Sequence, residues 1–485
     1  MRRRSSAACG RVTPGHDASR HETPQEAAVR FPHLPQVSLL SPDGLPRTRA
    51  VAGVSPVSSG ARPGRVALLV GVLCIAYMIS QFLRASTGVI APELARELNL
   101  APQSLGVLSG AFFFAFAAAQ IPAGLMLDRY GARISMTLMI GFAIAGALLF
   151  ASADSLFTLS MARALMGLGC SCLLIGPLMI YTRWFPRARF ATMSGIQIAA
   201  GTFGGIFATA PLGLIAHWVG WRIVFYFMAS FAAVMGVLVW LIARDSPPGA
   251  AALPGQTQGQ SRPELPESLW RSFMGLGEVL RNPSLPHLLL VQFVGLGSAA
   301  SVLGLWASPF LHDVYGLGGP ARGNVLLVLA VCTAGGMLFW GPVDMRLDSR
   351  KKPVLMGASG SLLMLGLLAV LPQPDLLTVT LIFAVLGFCN GYAAVAIAHG
   401  RAIFPDHLTG RGIALLNMGG MAGAGVMQYL CGVIVGLFAA PGTPAPAAAY
   451  HALFGFLMLS MALALLFYAR IEDAPPSRDG RMNHP

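Results

Sequence analysis

The chain has 485 residues, 55% of them hydrophobic and only 11% charged, with a mean hydropathy of +0.65 and a net charge of +13. A soluble chain carries about a quarter charged residues, so a water-soluble globular protein is excluded. What remains is an all-α polytopic membrane protein, because closed barrels need short alternating segments that are not seen here.

In chain order, residues 1–65 are rich in Pro, Ser, Gly and Arg and carry no apolar run of signal-peptide length. They read as a disordered, basic cytoplasmic tail. Runs of about 20 apolar residues, enough to cross a bilayer as helix, then fall at approximately 66–91, 103–127, 134–153, 156–182, 190–216, 222–243, 286–311, 323–345, 353–371, 375–400, 411–438 and 447–470. The segment "RDSPPGAAALPGQTQGQSRPELPES" at 244–268 is the long interior linker and splits the twelve spans six and six. The expected organisation is a six-helix bundle over 66–243, a cytoplasmic linker over 244–285, a second six-helix bundle over 286–470 and a cytoplasmic tail over 471–485.

The distribution of charge says more than its sum. Of the 33 Lys and Arg residues, ten precede the first span and fifteen lie in loops after even-numbered spans, whereas only Arg96, Arg222 and Arg322 follow odd-numbered ones. By the positive-inside rule both termini are cytoplasmic, so the basic excess reflects topology and not nucleic-acid binding. Six of the seven cysteines lie within the spans, and "CSC" at 170–172 places its thiols two residues apart, on different helix faces. Small-residue packing accounts for them, with no metal and no cofactor.

The two halves carry related segments. "RWFPRARFATMSGIQIAAGTFGG" (183–205) and "RAIFPDHLTGRGIALLNMGGMAG" (401–423) both run from arginine through Phe-Pro into a glycine-rich helix with one amide, Gln197 or Asn417. Duplication explains matching order at matching places. Between spans two and three, "GLMLDRYGARISM" (124–136) packs a glycine helix end, one acid and two arginines into a tight turn; after span eight, "GPVDMRLDSRKK" (341–352) keeps Asp344 and the basic cluster but not the spacing.

This loop resembles the signature loop of the major facilitator superfamily, through Gly124, Asp128, Arg129, Gly131 and Arg133, with Asp344 in a degenerate second copy. "LSMARALMGLG" (159–169) is similar to that family's span-four signature, through Arg163 and Gly167. The resemblance covers roughly residues 66–470. It implies twelve transmembrane helices in two six-helix bundles with pseudo-two-fold symmetry, alternating access to a central cavity, and a conformational latch in the 124–133 loop.

Buried polar groups are expensive in a membrane, so each is a candidate for function. The ionisable groups deep in spans are Arg84, Arg163 and His399, and no Asp or Glu lies well inside any span. A cavity lined this way is cationic or neutral, which disfavours cation carriers. "QFLRASTGVIAPEL" (81–94) is similar to span one of organic-anion members of the superfamily, including organophosphate/phosphate, hexuronate-type and nitrate-type carriers, in some of which an arginine there contacts the anion. Tyr77, Gln81 and Arg84 recur at four and three residues and share one helix face, and a guanidinium matches an anion bidentately. The alternative is a structural pair of Arg84 with helix-end carbonyls or with Glu93. The remaining substrate candidates are Gln120, Gln197, Gln292, Asn390 and Asn417, any of which could instead bond two helices together. Arg163 reads first as a packing or proton-handling residue, and His399 as an interfacial histidine or a titrating coupling group.

No nucleotide loop, HExxH motif or nucleophile set occurs, so the chain is not expected to be an enzyme. The expected function is secondary active transport of a small organic anion or zwitterion, by symport or exchange, with a proton or sodium ion as possible coupling partner. The expected setting is a monomer in the lipid bilayer of a bacterial inner membrane. Efflux of drug-like compounds and a flux-free receptor are the alternatives.

Overall fold

The computed structural model describes residues 63–247, 282–404, 409–441 and 443–476. Of the tail expected over 1–65, residues 1–62 lie outside the described residues and 63–65 already belong to the first helix, as Pro63 can open a helix turn; most of the linker and the end of the chain also lie outside the described residues. The described part of the fold is helical throughout, and ten of its helices are long and apolar enough to cross a membrane, or eleven with one bent pair counted as a single span.

The longest of these resolves into two. Pro102–Ala151 has 50 residues, about 75 Å at the rise of an α-helix and more than twice the ~30 Å of a bilayer core. Gly131 breaks it with φ 80° and ψ 168°, a backbone conformation that side chains resist. The twelve spans are therefore α1 (Pro63–Glu97), α2 (102–130), α3 (132–151), α4 (Leu156–Trp184), α5 (Thr192–Phe207 with Ala210–Val219, bent by 41°) and α6 (Trp221–Ile242) in the first half. In the second half they are α7 (Leu285–Asp313), α8 (Gly319–Arg346), α9 (Lys351–Val370), α10 (Leu376–Ile403), α11 (Thr409–Gly436) and α12 (Ala447–Tyr468). An even number of spans puts the start of α1 and the end of α12 on one face, called here the terminal face; the opposite side is the far face.

Local chemistry repeats between the halves. Ser155 caps α4 with a reciprocal bond to Thr158, and Asp375 caps α10 by accepting from the Thr378 amide at 3.2 Å and its hydroxyl at 2.6 Å. Those bonds hold the Asp375 carboxyl below its usual range. At the terminal face Asp245, just after α6, accepts from the N–H groups of Ala132 (2.6 Å) and Arg133 (3.1 Å) and so caps α3. Asp473, just after α12, does the same for α9 through Arg350 (3.1 Å) and Lys351 (3.0 Å). Burial works against the Asp473 charge, but hydrogen bonds from Ser349, Lys351 and Arg350 outweigh it and hold its carboxyl low. A third correspondence joins these caps to the spans. The Trp184 indole of α4 donates to the Arg244 carbonyl at 2.8 Å, while His399 of α10 meets the Glu472 carbonyl at 3.1 Å, each one residue before the capping aspartate.

The halves meet most closely at the far face, where small residues admit backbone against backbone. A Cβ on Gly88 of α1 would lie 2.5 Å from the Gly304 carbonyl oxygen of α7, one on Gly106 of α2 would lie 2.8 Å from that of Gln428 in α11, and one on Gly213 of α5 would lie 2.7 Å from that of Gly319 in α8.

Candidate functional site

The site is built on α1, α2 and α4. On α1 the Gln81 amide donates to the Tyr77 hydroxyl at 3.1 Å, and Arg84 follows one turn on, half-buried. The shared face expected from spacing is therefore real. Arg84 stacks on α2, its guanidinium carbon 4.8 Å from the centre of the Phe116 ring. Arg163 of α4 stacks on the preceding turn, 4.5 Å from the centre of the Phe112 ring. Phe112 and Phe116 lie nearly parallel with centroids 6.2 Å apart, so one face of α2 presents two successive rings to two guanidiniums, a favourable contact for a desolvated cation.

The two arginines are joined through α1 as well. Arg163 is fully buried and donates through Nη1 to the carbonyl of Leu83, the residue before Arg84, at 2.6 Å. Its Nε and Nη2 meet no acceptor, nor does Arg84 Nε. Neither arginine has an ion pair among the described residues, and Glu93, the alternative partner for Arg84, is bonded to Arg322 of α8 instead. Two unneutralised guanidiniums within a membrane cost several kcal/mol, and a bound anion would offset that.

Gly167 explains how Arg163 reaches this position. It lies one turn beyond Arg163 on α4, and a Cβ there would sit 2.2 Å from the Phe112 carbonyl oxygen, so the glycine lets α4 close onto α2 and press Arg163 over the ring. Gly167→Ala is expected to lower stability by about 1–3 kcal/mol through overpacking, read as a reduced melting temperature of the purified protein.

The amides divide into committed and free ones. Gln197 is fully buried and its amide is spent: Oε1 accepts from Tyr181 at 2.8 Å and Nε2 donates to the Leu73 carbonyl at 3.1 Å, tying α5 to α4 and α1. Asn390 accepts from Ser361 at 3.0 Å across α9 and α10. Both tie helices together, the other role open to an amide inside the membrane. Gln120, on the same α2 face as Phe116, and Asn417 are half-buried, with no hydrogen bond among the described residues, and Gln292 is buried with Oε1 unpartnered. His399 is also engaged on both sides, with Nδ1 2.6 Å from the Tyr468 hydroxyl and Nε2 at the Glu472 carbonyl. That is the pattern of a structural imidazole joining α10 to the end of α12.

The signature loop is organised by a residue outside it. Gly131 supplies the turn, and Arg133 stacks on Trp240 at 4.3 Å and donates from Nε to its carbonyl at 2.7 Å, beside the Asp245 cap. Asp128 and Arg129 are exposed, Gly124 faces open space and Asp344 is nearly buried. Asp245 and Asp473 were not singled out from the sequence, although a signal was present: Ala-Arg, an aspartate, one residue and proline recur at 243–247 and 469–475.

A polytopic bundle of two related six-helix halves, with a cationic site on the first, is the architecture of a membrane transporter. Residues 73–426 match the Major Facilitator Superfamily, and the chain belongs to that family. It is 26% identical over 388 residues, 73% of this chain and 83% of the relative, to the probable galactarate/D-glucarate transporter of Escherichia coli (strain K12). It is 23% identical over 286 residues, 56% of this chain and 64% of the relative, to a putative tartrate transporter of Agrobacterium vitis. Over 183 residues, 37% of this chain and 42% of the relative, it is 28% identical to the probable sulfoacetate transporter of Cupriavidus necator. Among solved structures, a bacterial homologue of the human lysosomal transporter Spinster superposes with a TM-score of 0.67 at 19% identity, covering 84% of this chain and 96% of that one. This last likeness shows the fold.

Proposed function

We propose that this protein is a secondary transporter that carries a small organic anion across a bacterial inner membrane, binding it between Arg84 and Arg163 and exposing that site to each face in turn. The observation that carries the reading is the pair of guanidiniums stacked on the successive rings of Phe112 and Phe116, with three of their N–H-bearing atoms unpartnered. Relatives named for galactarate/D-glucarate, tartrate and sulfoacetate transport, all anions, support it. Gln81, Gln120, Gln292 and Asn417 supply neutral hydrogen-bonding groups around the charge. The positive-inside bias puts the terminal face in the cytoplasm.

Exchange is the coupling that the residues support best. Among the described residues no carboxylate lies in the middle of a span, and the one embedded histidine is bonded at both ring nitrogens. The site therefore lacks an obvious carrier for a coupled proton, while an anion bound on the return step would neutralise the two arginines again. In liposomes preloaded with carboxylates or sulfonates, uptake of the same labelled anion should exceed uptake into empty liposomes by about tenfold. Uptake driven by a pH gradient into empty vesicles would overturn exchange, and anion binding without flux under any gradient would overturn transport in favour of a receptor.

A further inference from the structure

The lipid-facing side of the first half holds a cavity that the anion site does not use. It has a volume of about 640 Å³ and lies between α1, the far-face arm of α5 and the start of α6, with Ile79, Phe82, Leu212, Ile215, Val224 and Phe227 among its walls. Every residue that lines it is apolar or a glycine.

The cavity opens because the two arms of α5 pack on different partners. The arm Thr192–Phe207 closes on α1, where a Cβ on Gly204 would overlap the Met78 carbonyl. Pro211 then stands in the first turn of Ala210–Val219 and offers no N–H to the carbonyl of Phe207, one turn back, and here the axis bends by 41°. Beyond the bend the arm leans on the other half: besides the contact of Gly213 with Gly319, a Cβ on Gly323 of α8 would lie 2.8 Å from the Ala210 Cα. A wedge is left behind it, toward α1 and α6.

The depth and width of the wedge identify what fills it. α5 and α6 join at the far face through Gly220, and Trp218 is 75% exposed there, at the level where aromatic side chains settle at a membrane surface. From Val219 the wedge runs back to Gly204, about 15 residues or 22 Å of helix, which reaches the middle of a ~30 Å hydrocarbon core. Water finds no partner in such a lining. That volume and length give a section of roughly 30 Å², whereas a helix about 10–12 Å across needs about 80 Å² or more. The wedge is too narrow for a helix of a second copy and suits a single hydrocarbon chain.

We infer that the wedge is a lipid site that takes one acyl chain of a phospholipid in the far-face leaflet. The chain enters beside Val219 and Ile223 and ends near Ile75 and Gly204. It supplies contact atoms to walls that otherwise lack them on one side, and it backs the far-face arm of α5 against α8.

The test uses neither anion nor flux, so its outcome is separate from that of the transport reading. The full chain is placed in vesicles of phosphatidylethanolamine and phosphatidylglycerol doped with a phosphatidylethanolamine that carries a diazirine at mid-chain, illuminated, and mapped by peptide mass spectrometry. Leu381 is the control: it and Phe227 each lie in the second turn of a span that starts at the far face, and they are 57% and 66% exposed. Adducts on Phe207, Ile215 and Phe227 should exceed those on Leu381 by about fivefold. Ile215→Trp with Met228→Trp, which fills the wedge, should bring them down to the Leu381 level while Leu381 labels as in the parent. Should that pair fail to fold, Ile215→Phe alone is expected to lower the excess in smaller measure. Adding the same phospholipids to detergent-purified protein should raise the melting temperature of the parent more than that of the filled variant. Equal adducts on wedge and control residues, or an excess that the filled variants keep, overturn the inference. So does a wedge labelled less than Leu381 in a protein that is dimeric by native mass spectrometry, which would assign the wedge to a second copy.

Discussion

Replacing Arg84 with alanine is expected to reduce anion flux in liposomes by about 100-fold or more, equivalent to roughly 2.7 kcal/mol of lost interaction, while the protein still inserts and folds. Arg84→Lys should be nearly as damaging. A guanidinium lies flat on Phe116 and offers donors in a fixed fork, whereas an ammonium is a compact, strongly hydrated point charge that matches neither the ring nor a bidentate anion. Folding should survive because Arg84 makes no ion pair and no hydrogen bond among the described residues, so truncation breaks no helix tie. Removing one of two unneutralised cations should even raise the melting temperature slightly. The thermal-shift signature separates binding from assembly: saturating carboxylate should stabilise the parent and leave both variants unmoved. Near-normal uptake in both variants would sink the clamp. Arg163 provides the contrast, since its Nη1 holds the Leu83 carbonyl. Arg163→Gln should lose flux and also lower the melting temperature.

The membrane fold was legible because its determinants are local. Apolar run length marks a span whatever it packs against, and the break between α2 and α3 was visible in "LDRYGARIS", where Gly131 alone can adopt the required turn. The face shared by Tyr77, Gln81 and Arg84 was also legible, since helical spacing fixes it. Partner choice was not. Gln197 and Asn417 occupy matching places in the two halves, yet one is bonded between helices through both of its amide atoms and the other makes no hydrogen bond among the described residues, and nothing in either local sequence distinguishes them. The Phe112–Phe116 ladder lies on a helix that is apolar nearly all round, so its rings could not be told from ordinary packing residues. Glu93 and Arg322 are 229 residues apart, and only tertiary folding decides that Glu93 turns to α8 and not back toward Arg84.

The repeated aspartate caps lead to the second large effect. At the terminal face Gly131 and Asp245 form one unit, since the backbone at φ 80° brings the Ala132 and Arg133 amides onto one carboxylate oxygen, and a Cβ on residue 131 would lie 2.7 Å from the other. Gly131→Ala therefore adds backbone strain, about 1–3 kcal/mol, and pushes the cap away at the same time. Its expected outcome is a melting temperature well below that of the parent and turnover slowed by about tenfold or more, with little change in substrate affinity because the arginine site lies elsewhere on α1, α2 and α4. Asp245→Ala removes the cap alone and should cost about 1–2 kcal/mol, and Asp245→Asn, which keeps an acceptor oxygen, should cost less. Asp473→Ala should match Asp245→Ala in size, since the same geometry recurs at α9. The Asp473 carboxyl is held below its usual range, so the charged cap contributes fully above the unfolded carboxylate pKa and is lost as pH falls through the lower folded value. Each cap lies within its own half, so the losses of Asp245→Ala and Asp473→Ala should add in the double variant to within about 0.5 kcal/mol. Strong coupling between them would show that the caps bridge the halves and belong to the cycle itself, while parental turnover in Gly131→Ala would remove the signature loop from control of the conformational change.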